Sequence, residues 1–123
     1  MWTREDASKA VARAFYDAMN ARDLDRILAC YAEDATTWVL GEGPFAGRHP
    51  VSREALEAFL GMSEIRFTIL SMIAEGEVVA VELESEGTMG GRPYANRYHN
   101  RISVRDGRIV ELKEYFDTAR AGG

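Results

Sequence analysis

Val78-Val79-Ala80-Val81-Glu82-Leu83-Glu84-Ser85-Glu86 leads across Gly90-Gly91 to Asn96-Arg97-Tyr98-His99-Asn100-Arg101-Ile102, and across Arg105-Asp106-Gly107 to Ile109-Val110-Glu111-Leu112-Lys113-Glu114. In each piece apolar and charged or polar side chains alternate with period two, the signature of a strand with one face buried, and the glycines stand where hairpin turns belong. Moving N-terminally, Ile65, Phe67, Ile69 and Ile73 alternate with Arg66 and Thr68, and Glu75-Gly76-Glu77 supplies another turn. The pattern predicts four antiparallel strands over residues 65–74, 78–88, 92–104 and 108–118.

Ahead of the strands the period is 3.6. Thr3 and Asp6 fit a capping box, and Ala7, Val11, Ala14, Phe15 and Ala18 recur at helical spacing, so a first helix spans 4–21. Asp23 caps a second helix with Leu24, Ile27, Leu28 and Tyr31 on one stripe. Residues 35–40 read as a short strand, and 41–47, with three glycines and a proline, as a loop. That loop lacks the spacing of a phosphate-binding fingerprint. Ser52 caps a third helix through Leu60, closed by Gly61. Helices first and a meander after predict an α+β fold, with helices laid on one face of a bent sheet.

The chain of 123 residues carries fifteen basic and twenty acidic side chains, for a net charge of −5, with 46% hydrophobic residues. No basic cluster interleaves with aromatics, so nucleic acid is not an expected partner. No apolar run approaches ~20 residues, so no membrane span is expected, and the charged N-terminus reads as no secretory signal; a cytoplasmic location follows by default. Cys30 stands alone and His49 and His99 lie far apart, so neither a disulfide nor a metal site is expected, and no cofactor motif is present. There is no nucleophile elbow of the serine hydrolases.

Register assigns the inward face. A two-residue turn at Gly90-Gly91 sets Glu84 against Arg97 and Glu82 against His99 as complementary outward pairs. A three-residue Arg105-Asp106-Gly107 loop sets Ile102 against Val110 and Arg101 against Glu111. Three inward rows result: Val81, Asn100, Leu112; Leu83, Tyr98, Glu114; and Ser85, Asn96, Phe116. This face buries a carboxylate, a phenol and two amides, which costs a few kcal/mol unless each is paired or meets a ligand. One reading is a pocket in which desolvated Glu114 is a general acid or base and Tyr98 donates to it or to a substrate oxygen. The other is an internal network from Glu114 through Tyr98 to Asn100. His99 reads as a surface partner of Glu82, Cys30 as an inert packing residue, and Trp38 as core or pocket lining.

Asp23-Leu24-Asp25, Tyr31-Ala32-Glu33-Asp34-Ala35, the 41–47 loop, Asn96-Arg97-Tyr98 and Asp106-Gly107-Arg108-Ile109-Val110-Glu111-Leu112-Lys113-Glu114-Tyr115-Phe116-Asp117 follow helix one in that order. Nearly the whole chain thereby resembles the nuclear transport factor 2-like superfamily, in its SnoaL-like branch. The resemblance implies one domain over 1–123, a cone-shaped roll in which helices and a curved sheet enclose a pocket, commonly as a homodimer paired through the outer sheet face, here expected to bear Ile109 and Tyr115. The fold serves ketosteroid isomerases, polyketide cyclases, epoxide hydrolases, dehydratases and non-catalytic binders, so activity is argued at the site. Glu114 falls where SnoaL-type cyclases and limonene epoxide hydrolases place a last-strand aspartate. The tyrosine and the aspartate base of ketosteroid isomerases match Phe15 and Val39. The Arg and second Asp of the epoxide hydrolases match Leu83 and Ser85, and their water-binding Tyr and Asn match Thr37 and Val39.

Glu114 and Tyr98 are thus the catalytic candidates. Phe15, Trp38, Val39 and Leu83, with Asn96, Asn100, Leu112 and Phe116, are the candidate substrate contacts. The leading expectation is a cofactor-independent isomerase or cyclase in which Glu114 shuttles a proton beside a carbonyl and Tyr98, Asn96 or Asn100 bonds the oxyanion. The alternatives are a non-catalytic pocket for a small apolar metabolite, an epoxide hydrolase-like enzyme, and an interaction domain using the outer sheet face.

Overall fold

Thr3 opens the first helix through the expected reciprocal pair. In the computed structural model, which describes residues 1–121, its hydroxyl accepts from the Asp6 N–H and the Asp6 carboxylate accepts from the Thr3 N–H, both at 3.0 Å. α1 (Arg4–Ala21) ends on Arg22, left-handed at φ 55°, whose guanidinium donates to the Ser63 and Leu60 carbonyls. Its buried face is Ser8, Ala12, Phe15, Tyr16, Ala18 and Met19, whereas Ala14 is exposed. The helix is therefore turned from the expected alanine stripe, because Tyr16 and Met19 remove far more area from water than a methyl can. That turn brings the Tyr16 phenol onto the sheet.

α2 (Leu24–Cys30) is capped by Asp23 and runs straight into β1 (Tyr31–Val39), a strand that starts four residues earlier than expected. β2 (Gly47–Pro50) is a short antiparallel partner of β1 that four mostly exposed residues gave no period to announce. α3 (Arg53–Met62) is capped by Ser52 and runs past Gly61, so this glycine lies within the last turn rather than closing it. Then follow β3 (Ser63–Glu75), β4 (Val78–Met89), β5 (Arg92–Arg105) and β6 (Arg108–Glu114), with a one-turn α4 (Thr118–Ala121) that the sequence did not signal. Gly122 and Gly123, part of the expected domain, lie outside the described residues.

The strands form one curved mixed sheet in the order β2-β1-β6-β5-β4-β3, antiparallel except where β1 runs parallel to β6. Between β4 and β5 the register is the expected one, with Glu84 facing Arg97 and Glu82 facing His99. The last hairpin differs. Its turn is two residues long, Asp106 at φ 51° and Gly107 at φ 77°, with Arg105 paired to Arg108. Two successive positive φ values are those of the type I′ turn, whose twist matches that of the strands it joins. Val110 then stands out of the ladder as a bulge, so Ile102 pairs with Leu112 instead of Val110, and Arg101 with Lys113 instead of Glu111. Arg101 reaches Glu111 only diagonally, at 3.8 Å.

The bulge corrects the expected rows while keeping their face. Tyr98 bridges Phe116 rather than Glu114, and Leu112 stands beside Ile102 rather than Asn100. It also turns Ile109, expected outward, into a fully buried core residue. A second bulge at Leu70 does the same to β3: Ile65 and Phe67 face inward, but beyond the bulge Met72 and Ala74 take over and Ile73 is exposed.

β6 ends at Glu114, short of the expected 118; beyond it one backbone rung remains, from the His99 N–H to the Tyr115 carbonyl (2.9 Å), and side chains supply the others. Asn100 Oδ1 accepts from the Tyr115 N–H (3.2 Å), and Asn96 Oδ1 accepts from the Asp117 N–H (3.2 Å) while its Nδ2 donates to the Asp117 carbonyl (3.1 Å). The core between α1, α2 and the concave sheet face joins Phe15, Ile27, Val79, Val81, Leu83, Ile102, Ile109 and Leu112.

Candidate active site on the concave face

Strand alternation places Glu114 on the same face as the buried Leu112 and opposite to Lys113, which lies over the Trp38 ring at 4.9 Å on the outer face. Glu114 is half-buried, and among the described residues its carboxylate makes no hydrogen bond. Burial without a compensating donor raises its pKa to about 7. A carboxyl held there is populated in both protonation states near neutrality, as a general acid or base requires.

Three phenols lie within reach of its charge. Burial chiefly, with the Glu114 charge adding to it, raises the pKa of Tyr16 and lifts that of Tyr31 well above the ordinary range. Tyr98 is raised too, first by burial, with smaller contributions from Tyr94 and Glu114 set against its bond to Ser85. All three therefore remain neutral donors at any physiological pH. Their hydroxyls differ in what they already hold. Tyr16 Oη accepts from Asn100 Nδ2 (2.9 Å), and Tyr98 Oη bonds Ser85 Oγ (2.7 Å). Tyr31 Oη makes no hydrogen bond among the described residues. Every fully buried polar side-chain atom among those residues is satisfied. The unpartnered oxygens of Glu114 and Tyr31 therefore border open space.

The rings form a continuous wall. Tyr31 packs edge-on to Phe15 (5.3 Å), Phe15 to Tyr16 (5.0 Å), Tyr16 against Phe67 (5.6 Å), Phe67 against Tyr98 (5.7 Å) and Tyr98 against Phe116 (6.1 Å). At the Tyr31 end a cleft of about 490 Å³ opens between β1, β2, α3 and the 41–46 loop, lined by Tyr31, Thr37, Val39, Leu56 and Phe59 among others. Val39 is the strand partner of Glu114, so the cleft and the carboxylate stand on neighbouring strands, although Glu114 itself does not line the cleft.

The candidates read from sequence thus part company. Glu114, Tyr98, Val39 and Phe116 gather on the concave face, and Phe15 lies in its aromatic wall. Leu83 and Leu112 are packed into the core. Asn96 spends its amide on Tyr94 Oη, Asp117 and the Arg97 N–H, and Asn100 holds Tyr16 and Tyr115. Trp38 stacks on Tyr115 across the outer face at 5.2 Å, away from the cleft. The alternative of an internal network from Glu114 through Tyr98 to Asn100 is not formed, since Tyr98 bonds Ser85 and Asn100 bonds Tyr16. Tyr16 and Tyr31 are not among the residues the sequence points to as site residues: the inward turn of α1 places the first, while the second stands on the α2 stripe, where its hydroxyl was the available signal.

Residues 12–112 match the SnoaL-like domain family. No curated protein matches the chain in sequence. Among solved structures, a nuclear transport factor 2-like protein from Burkholderia xenovorans LB400 is 28% identical, with a TM-score of 0.78 over 99% of this chain and 97% of its own. An LEH-like epoxide hydrolase from M. tuberculosis shares the fold at 21% identity and a TM-score of 0.80, over 96% of this chain and 88% of its own. TerC, co-crystallised with polyporic acid, does so at 20% identity and 0.79, over 94% of this chain and 95% of its own. On this match and this architecture, the chain belongs to the SnoaL-like domain family, on the nuclear transport factor 2-like fold.

Proposed function

We propose that this protein is a cofactor-independent proton-transfer enzyme of the isomerase or cyclase kind, acting on a small apolar molecule that carries a carbonyl. The observation that carries this reading is the half-buried Glu114 carboxyl, raised in pKa by burial, without a hydrogen-bond partner among the described residues and close enough to neutral phenols for its charge to act on them. Ionised Glu114 takes a proton from the carbon next to the carbonyl, and the bonding pair moves onto oxygen as an enolate. A phenol O–H, from Tyr31 or Tyr98, donates to that oxyanion in a site where the bond is worth more than in water. The enolate then takes the proton back from Glu114 at a second carbon conjugated with it, giving an isomer, or its carbon attacks another carbonyl and the alkoxide so formed takes the proton from Glu114, giving a ring.

A second reading has its own support. Asn96, Asn100 and Tyr98 hold internal bonds, which leaves Glu114 and Tyr31 without side-chain hydrogen bonds among the described residues and suits a pocket that binds without turnover. The epoxide hydrolase alternative gains less, since Leu83 is fully buried and Ser85 is bonded to Tyr98. Deuterium uptake beside the carbonyl of a panel of cyclic ketones and enones in D₂O, followed by proton NMR, separates the first two. Catalysis predicts exchange by the wild type that falls by roughly 100-fold or more in Glu114→Gln. Binding of the panel without exchange removes the enzyme reading in favour of the binder.

A further inference from the structure

α3 is amphipathic yet buries no side chain completely. Leu56 and Phe59 are only half-buried against the core and face the cleft, whose apolar lining is left incomplete. Phe45 stands at the mouth of the same cleft with 79% of its surface exposed. A phenyl ring held in water forgoes the free energy of burial, and nothing on its own loop recovers it. The segment that carries it is fastened at its ends, and in its middle one backbone bond, from the Ala46 N–H to the Gly43 carbonyl (3.3 Å), turns the chain at Pro44-Phe45 and leaves the ring outside. Leu40 N–H donates to the Glu114 carbonyl (3.1 Å), and the His49 ring bonds the Ala46 carbonyl through Nε2 (2.9 Å). Between these ties, Gly43 has φ 113° and Gly47 follows at φ 85°, and a Cβ at either would meet nothing within 4 Å. Glycine there serves a backbone path that other residues resist, rather than a tight fit.

We propose that Phe45 is a lid residue: its ring folds onto an apolar ligand in the cleft and, together with Leu56 and Phe59, sets how long that ligand stays. The selected ligand is one whose apolar surface extends to the mouth, so that the ring has something to cover. This rests on the cleft lined by Tyr31, Val39, Leu56 and Phe59 being the ligand site, as the proposed function has it, and is independent of whether proton transfer follows.

The test uses the neutral fluorescent probe N-phenyl-1-naphthylamine in stopped-flow binding to the whole chain. Phe45→Ala is expected to raise the dissociation rate roughly tenfold while the association rate stays within about twofold, and Phe45→Leu to recover most of the loss. Phe45 lies outside the core, so both variants are expected to keep the wild-type circular dichroism. Dissociation from Phe45→Ala within about twofold of wild type overturns the proposal, and so does failure of the wild type to bind the probe at about 100 μM. Ketone exchange by the wild type is scored separately: a lid effect without exchange leaves this proposal standing and removes proton transfer, and exchange without a lid effect does the reverse.

Discussion

Glu114 titrates at about 7 because burial removes its hydration and no donor replaces it. An acid whose folded pKa lies above its unfolded value gives a stability fully present below the unfolded pKa, near 4.5, and lost as pH rises through the folded one. Urea unfolding of the wild type should therefore show a decline between pH 5 and 8, of about 2–3 kcal/mol from this group. Glu114→Gln should flatten that decline and be the more stable protein at pH 8. Carbon NMR of the side-chain carboxyl checks the cause directly, and a titration at or below the ordinary glutamate value would remove it. Asn96 makes a contrasting case, a buried amide with all its capacity used on protein. Asn96→Ala should cost about 2–3 kcal/mol in urea and speed hydrogen exchange at the Asp117 amide, because it strands buried partners.

At the scale of elements, two single-residue bulges decide which side chains meet. Leu70 and Val110 each step out of the ladder, curve the sheet, and change which residues of β3 and β6 face the helices. The Asp106-Gly107 turn enforces the second of these shifts. Gly107→Ala puts a side chain at φ 77° and should destabilise by about 1–2 kcal/mol. Gly61→Ala should do the opposite, gaining about 0.5–1 kcal/mol, since that glycine is helical and its Cβ would meet nothing within 4 Å. Thermal and urea midpoints of the two variants, measured side by side, check both signs.

Across the whole molecule the sheet has two unlike faces. The concave one holds the core, the aromatic wall and Glu114; the outer one carries Glu82 with His99, Glu84 with Arg97, and Lys113 over Trp38 and Tyr115. The homodimer implied by the resemblance would use this outer face, without the buried Ile109. Sedimentation at micromolar concentration is then expected to give twice the mass of one chain, falling toward one at about 0.5 M salt, because an interface rich in charge is screened. A single-chain mass at low salt would count against it.

The sequence by itself determined the α+β order, the three principal helix caps, the β4–β5 register and the inward facing of the carboxylate at Glu114, because caps, glycine turns and alternation act over a few residues and leave a local trace. It also carried the family, through runs such as the one from Asp106 to Asp117. It did not carry the bulges at Leu70 and Val110, since one extra residue in a strand is chosen by the partner strand's packing. For the same reason Ile73 and Ile109 exchanged their expected faces. Nor did it show that Asn96 and Asn100 serve as rungs for the C-terminal segment, or that Tyr16 and Tyr31 lie within reach of the Glu114 charge. Those placements join residues as far apart as Tyr16 and Asn100, and only the closing of α1 onto the curved sheet brings them together.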